Sequence, residues 1–183
     1  MPFGFFKKKK KEESHYDPTN IGIVDLRKGY VLDFDLQTWE VTEMYEYDWG
    51  DNDFSYEFKL ESPSDTVFLS VDIDDIVTGT VSRKIVWGRL PEEVEDGILQ
   101  KGKPPKQITF EGVTYYRDSR SIGYWRNTEE TDRKDSMEYM CWEYYDDTEK
   151  KVLTLERFGE EEFEASRGIV YPPDAFSNVL PVS

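Results

Sequence analysis

Three aromatic side chains and five lysines open the chain: Phe3, Phe5 and Phe6 stand directly before Lys7, Lys8, Lys9, Lys10 and Lys11. Apolar rings sink into a lipid interface, and each lysine near an anionic bilayer gains roughly 1 kcal/mol. Two such signals together hold a protein at a membrane that one alone grips only marginally. These eight residues are therefore the expected contact with an anionic membrane surface. The glycine at position 4 is not residue 2, so N-myristoylation is not indicated. The same residues also read as a solubilising tail whose rings, or whose lysines, fold back onto an acidic body.

Other chemistries find fewer residues. The chain has one cysteine, Cys141, and one histidine, His15. That excludes an intrachain disulfide and a Cys-rich zinc site, and it fits a reducing compartment. Cys141 sits in "MEYMCWEYY" and reads as an inert buried thiol. His15 lies in a polar tail, a poor place for a base that a partner must hold rigidly. Asp48, Asp51 and Asp53, and likewise Asp72, Asp74 and Asp75, have the flavour of calcium loops but lack the spaced acids and glycine of one. They read as solvated turns, so no metal and no cofactor is expected. Glycoside cleavage needs two carboxyls at a fixed separation, and the 39 acids here offer no means of choosing a pair. No catalytic residue is nominated. Trp49, Asp51, Asp53 and Trp125 are the candidates for a partner-binding face, whereas Trp39 and Trp142 fall on apolar faces and read as core.

Formal net charge is −16; the first thirteen residues, with five Lys and two Glu, carry +3, which leaves −19 on the rest. Such a body repels phosphate backbones, so nucleic acid is not an expected partner of the folded part. It favours cationic partners: basic proteins, polyamines or divalent ions. The chain has no apolar run of about 20 residues, the length a membrane-spanning helix needs.

The elements that must position these residues are β-strands. Alternating apolar residues mark strands at Tyr30–Phe34, Trp39–Tyr47, Phe54–Leu60 and Val67–Val71, with turn residues in "WGDNDF" and "SPSD" between them. Phe58–Trp87 reads gap-free onto Trp142–Tyr171 at an offset of 84, with Leu69, Ser82, Arg83, Ile85 and Val86 meeting identical residues. The expected fold class is all-β: a duplicated antiparallel β unit forming a sandwich or open barrel with pseudo-twofold symmetry, its two apolar faces meeting across the axis. The expected organisation is a Phe/Lys tail at 1–18, a first β unit at 19–87, a linker with a short helix at 88–107 and a second β unit at 108–183. Residues 127–136 read as a mobile polar loop, and "PPDAFSNVLP" as a single helical turn. Trp39–Asp53 and Tyr124–Met137 find no match at that offset and are the expected binding segments.

The motifs "LRKGYVLDFDLQTWEVTEMYEYDWG", "YEFKLES", "FLSVDIDD" and "VLTLERFGEEEFEASRGIVYPPDAFSNVLP" resemble an uncharacterised, DUF-type family of bacterial β domains over residues 21–181. Relatives of that kind are often encoded beside phage-shock-type membrane-remodelling proteins and aminopropyltransferase-like genes. The resemblance brings no site residues. It implies a noncatalytic interaction or adaptor module of the bacterial cytoplasm, peripheral to the inner membrane and tied to a membrane-stress system. The alternative is a binder of small, polyamine-like cations or an enzyme accessory.

Overall fold

The computed structural model describes residues 20–182. The expected membrane contacts, Phe3 to Lys11, and His15 lie outside the described residues. Eleven strands follow: β1 Tyr30–Phe34, β2 Gln37–Gly50, β3 Asp53–Glu61, β4 Thr66–Ile73, β5 Val77–Ile85, β6 Gln107–Phe110, β7 Val113–Asn127, β8 Met137–Tyr145, β9 Lys151–Phe158, β10 Glu162–Tyr171 and β11 Phe176–Pro181. They form one antiparallel sheet in the order β11-β1-β2-β3-β4-β5-β10-β9-β8-β7-β6, and a further β2–β7 pairing closes β2-β3-β4-β5-β10-β9-β8-β7 into a ring. That seam joins only Tyr45–Asp48 to Asn127–Tyr124. The barrel is therefore closed over a short stretch and open elsewhere.

The strand registers carry the duplication. β5 and β10, the matched "SR-x-I-V" segments, pair so that Arg83 faces Arg167, 84 residues on. The β1–β2 hairpin pairs Leu32 with Trp39, and the β6–β7 hairpin pairs Ile108 with Tyr115, each partner 76 residues on. The same bulge interrupts β2 between Val41 and Glu43 and β7 between Arg117 and Ser119. The offset thus changes from 76 to 84 in the β7–β8 connection, residues 128–136, where the first unit has only the turn Asp51-Asn52. Trp39–Trp49 does have a counterpart, Tyr115–Trp125, which a search at the single offset of 84 misses. The gap-free reading also slips in β4: Glu57 faces Ser70, but its counterpart Cys141 faces Glu156, 86 residues past Ser70.

The expected meeting of two apolar faces across the axis is not found. Each unit closes over its own core, one around Leu32, Trp39, Phe58, Leu60 and Leu69, the other around Ile108, Tyr115, Trp142, Tyr144 and Leu155. The bulge is the physical reason. It slips the alternation in β2, so Trp39 and Val41 enter the first core while Tyr45 and Tyr47 face the ring interior. A helix, α1 at Glu92–Lys101, covers the second core with Val94 and Ile98, one turn apart. Glu92, Glu93 and Glu95 lie at its positive end, and Gly102, at φ 69°, terminates it. The last segment makes the expected helical turn, a 3-10 turn at Pro173–Ala175, and then continues as β11; Phe176 and Val179 extend the first core, and Phe176 stacks on Phe34 at 5.0 Å. Loop 127–136, expected to be mobile, is tied down: Asn127 is buried, and Arg126 donates to the Thr131 carbonyl at 2.9 Å.

Candidate functional site

Side chains at alternate positions of the ring strands point away from both cores and line the ring's interior. Most are polar or aromatic, as the net charge and the aromatic share require once the cores have taken the aliphatic residues. One mouth of this interior is a cavity of about 320 Å³ walled by Tyr45, Tyr47, Phe68, Trp125 and Phe158, with Glu43, Glu57, Glu130, Glu156, Glu162 and Glu164 among its lining residues and Lys84 as its cation among the described residues. Tyr45 and Trp125 lie 5.5 Å apart and Trp125 meets Phe158 edge-on at 5.2 Å, which makes a continuous aromatic wall.

Two carboxylates sit deep in this wall. Glu57 accepts from the Tyr47 hydroxyl at 3.2 Å and the Ser70 hydroxyl at 3.0 Å. Glu156 accepts from the Tyr139 hydroxyl at 2.7 Å. Burial pushes both carboxyls above the usual carboxylate range, and the charge of Glu57 pushes Glu156 further. Lys84 pairs with Glu164, and its ammonium lies 5.4 Å from the centroid of the Phe68 ring. At the rim, Glu43 accepts from the Lys59 ammonium at 2.9 Å, the Tyr45 hydroxyl at 2.8 Å and the Asn127 amide at 3.0 Å. The Lys59 ammonium holds the Glu43 carboxyl below the ordinary range.

Cys141 is buried beside this interior, and desolvation, with the nearby Glu143 and Glu156 charges, pushes its thiol up to about 12. A thiol so raised is a poor nucleophile at neutral pH, in keeping with the inert reading.

Of the expected partner-binding residues, Trp49 and Trp125 pack on one interior cluster around Tyr47, Tyr139 and Cys141. Trp125 belongs to the aromatic wall of the mouth. Trp49, its counterpart across the pseudo-twofold, donates its indole N–H to Ser55 at 2.9 Å, stacks on Tyr47 at 5.7 Å, and borders a second cleft where β2 leaves β7. Asp51 and Asp53 are exposed at the β2–β3 turn and line neither cavity. Trp39 and Trp142 are core residues, as expected; the Trp39 indole donates to the Phe34 carbonyl at 3.0 Å.

The family described as "Domain of unknown function (DUF4178)" matches residues 27–173. The chain belongs to that family. The match covers the ring of this DUF4178 domain, its second core and most of its first, which also takes Ile23, Leu26, Phe176 and Val179 from outside the matched residues. A relative from Aquifex aeolicus (strain VF5), described as "Uncharacterized protein", is 27% identical over 157 residues, 85% of this chain and 83% of its own length. No solved structure matches the chain. Membership in the DUF4178 family therefore brings no ligand, and the site must be read from its own residues.

Sequence reasoning missed Glu57, Glu156, Lys84 and Phe158. One signal was available: a charged or polar residue at every second position inside strands otherwise as apolar as "FKLES" and "LTLERF". It marks a sheet whose other face is wet.

Proposed function

We propose that the chain is a noncatalytic binding module whose ring mouth takes an organic cation of the polyamine kind. Lys84 carries the proposal. The protein's own ammonium is held there by an aromatic face and a carboxylate in one cavity, the pair of contacts by which a ligand ammonium is recognised. Tyr45, Trp125 and Phe158, with Glu57 and Glu156, offer the same chemistry a second time without a lysine. A linear polyamine matches this lining: ammonium groups for the carboxylates, methylene segments for the rings. The net charge of −16 draws such ligands to the surface.

Titration calorimetry with spermidine on the full chain tests this. The expected result is saturable binding, weakened about tenfold or more by Glu156→Gln and by Trp125→Ala, a loss of at least about 1.4 kcal/mol. The absence of heat at millimolar spermidine sinks the proposal.

A second reading rests on Phe3, Phe5, Phe6 and Lys7–Lys11. It makes the chain an adaptor at the cytoplasmic face of the bacterial inner membrane, serving a membrane-stress system through a protein partner. Among the described residues no helix is long and apolar enough to cross a membrane, so this contact would be peripheral. Liposome sedimentation checks it. Anionic vesicles should retain the full chain and release a version without residues 1–11; equal retention removes the reading.

A further inference from the structure

The two units differ on the outer face of the ring, next to the seam. In the first unit, Glu46 on β2 stands opposite Tyr56 on β3. The long β7–β8 connection lies over this spot. Its Arg133 donates to both Glu46 oxygens, at 2.9 and 2.7 Å, and stacks over the Phe54 ring at 4.6 Å. Arg126 adds a bond to Glu46 at 2.8 Å, and the Tyr56 hydroxyl adds one at 3.2 Å. A charge on the sheet is thus met by an opposite charge that a loop delivers.

In the second unit, Ile122 on β7 takes the place of Glu46 and Met140 on β8 that of Tyr56, again directly opposed, with Arg157 of β9 next in the row. The covering loop is missing here, because the corresponding connection is the turn Asp51-Asn52. What remains is a groove of about 350 Å³ whose lining carries Arg157 together with the acids Asp48 and Glu138. Ile122 and Tyr124 on its wall are 58% and 50% exposed. The Nε of Arg157 is buried there with no hydrogen-bond partner. A buried guanidinium N–H without an acceptor is destabilising, and the matching position in the first unit is Val71, which carries no charge to answer.

We propose that this groove docks an extended segment of a protein partner, which places an acidic side chain on Arg157 and apolar neighbours on Ile122 and Met140. The partner then covers Ile122 and Met140 as the β7–β8 connection of the chain covers Glu46 and Tyr56, and it adds a carboxylate for Arg157. Arginine suits the task, since its planar fork binds a carboxylate through two parallel hydrogen bonds. The site is separate from the ring mouth and stands or falls without it.

A random-peptide display library panned on the full chain tests this. Selected peptides should be enriched in Asp or Glu flanked by apolar residues. A labelled selected peptide, followed by fluorescence polarisation, should bind about tenfold or more weakly when its acid is changed to the amide, and the same loss should follow Arg157→Met. Ile122→Lys is the second variant: Ile122 is largely exposed, so the fold should survive, and melting curves check that both variants remain folded. Glu57→Gln in the ring mouth should leave peptide binding unchanged. Enrichment in Lys or Arg, no enrichment at all, or full binding by Ile122→Lys overturns the proposal. So does displacement of the peptide by acetate or inorganic phosphate alone at comparable affinity, which would make this a small-anion site. Self-association of the wild type that Ile122→Lys abolishes would make a second copy the occupant, with the same consequence.

Discussion

Gly123 on β7 lies so close to Asp48 on β2 that a Cβ built on it would stand 2.3 Å from the Asp48 carbonyl oxygen and 3.0 Å from the Trp49 ring. The neighbouring residue, Tyr124, is the one that pairs with Asp48 at the end of the seam. The missing side chain is therefore what lets the two units close into a ring. Because the nearest atom is backbone, an alanine there cannot be absorbed by a rotamer change. Gly123→Ala should cost at least about 2 kcal/mol in urea unfolding. Gly88→Ala, where a new Cβ meets nothing within 4 Å, should leave the midpoint unchanged. Equal midpoints for the two variants would mean that the seam contributes nothing to closure.

Glu46 is 4% exposed and is held by Arg126 and Arg133. The two guanidiniums, Arg133 first, draw its carboxyl down to about 2 from an ordinary 4.5. A carboxyl lowered in the folded state binds fewer protons than in the unfolded chain between those values. Its stabilisation is complete above about pH 4.5 and drains away as pH falls toward 2. Glu46→Gln should accordingly lower stability at pH 6 and lose that difference as the pH approaches 2. Arg126→Met should cost roughly 1–3 kcal/mol, because the pair is largely buried yet Arg133 still answers the charge. Guanidinium unfolding across that pH range measures both.

Strands and turns were legible because they rest on local rules. Trp39, Leu60 and Trp142 announce core faces by alternation, and the all-β, duplicated class follows from them. The closure was not legible. It depends on a one-residue bulge after Val41 and on Gly123, and neither leaves a pattern in a strand that keeps alternating on both sides of the slip. The offset of 84 was visible and the offset of 76 was not, because β2 and β7 keep the pairing geometry but exchange nearly every residue: Glu46 for Ile122, Val41 for Arg117. The site was half legible. Trp125 was nominated on composition, but Glu57 and Glu156 looked like any other acids among 39. Only the ring turns their face inward.

Leu36 sits at the tip of the β1–β2 hairpin with φ 59°, after Asp35 at φ 51°. Two successive positive φ values are the signature of a tight primed turn, which favours Asn-Gly or Asp-Gly. The matching turn of the second unit is Glu111-Gly112, with the glycine in place. Leu36 is fully exposed, so its side chain offers no packing in return for the left-handed backbone. Leu36→Gly should raise stability by about 0.5–1 kcal/mol in thermal or urea unfolding, the strain relieved less the extra chain entropy of glycine. An unchanged or lower midpoint would show that the turn tolerates leucine without strain.

Glu57 and Glu156 titrate in the opposite sense to Glu46. Burial raises both above 4.5, so the folded protein binds more protons than the unfolded chain from 4.5 up to the raised values. Their contribution to stability is complete below about pH 4.5 and falls as pH rises through that window. Glu156→Gln removes part of the titration, and its melting temperature relative to wild type should climb between about pH 5 and pH 9. A bound ammonium reverses the sign, because it favours the ionised carboxylates. Saturating spermidine should stabilise the wild type more at pH 9 than at pH 5, and binding near neutrality should release protons, seen as a heat that varies with the ionisation enthalpy of the buffer. A heat independent of buffer, together with pH-independent stabilisation, would place the cation away from these two carboxylates.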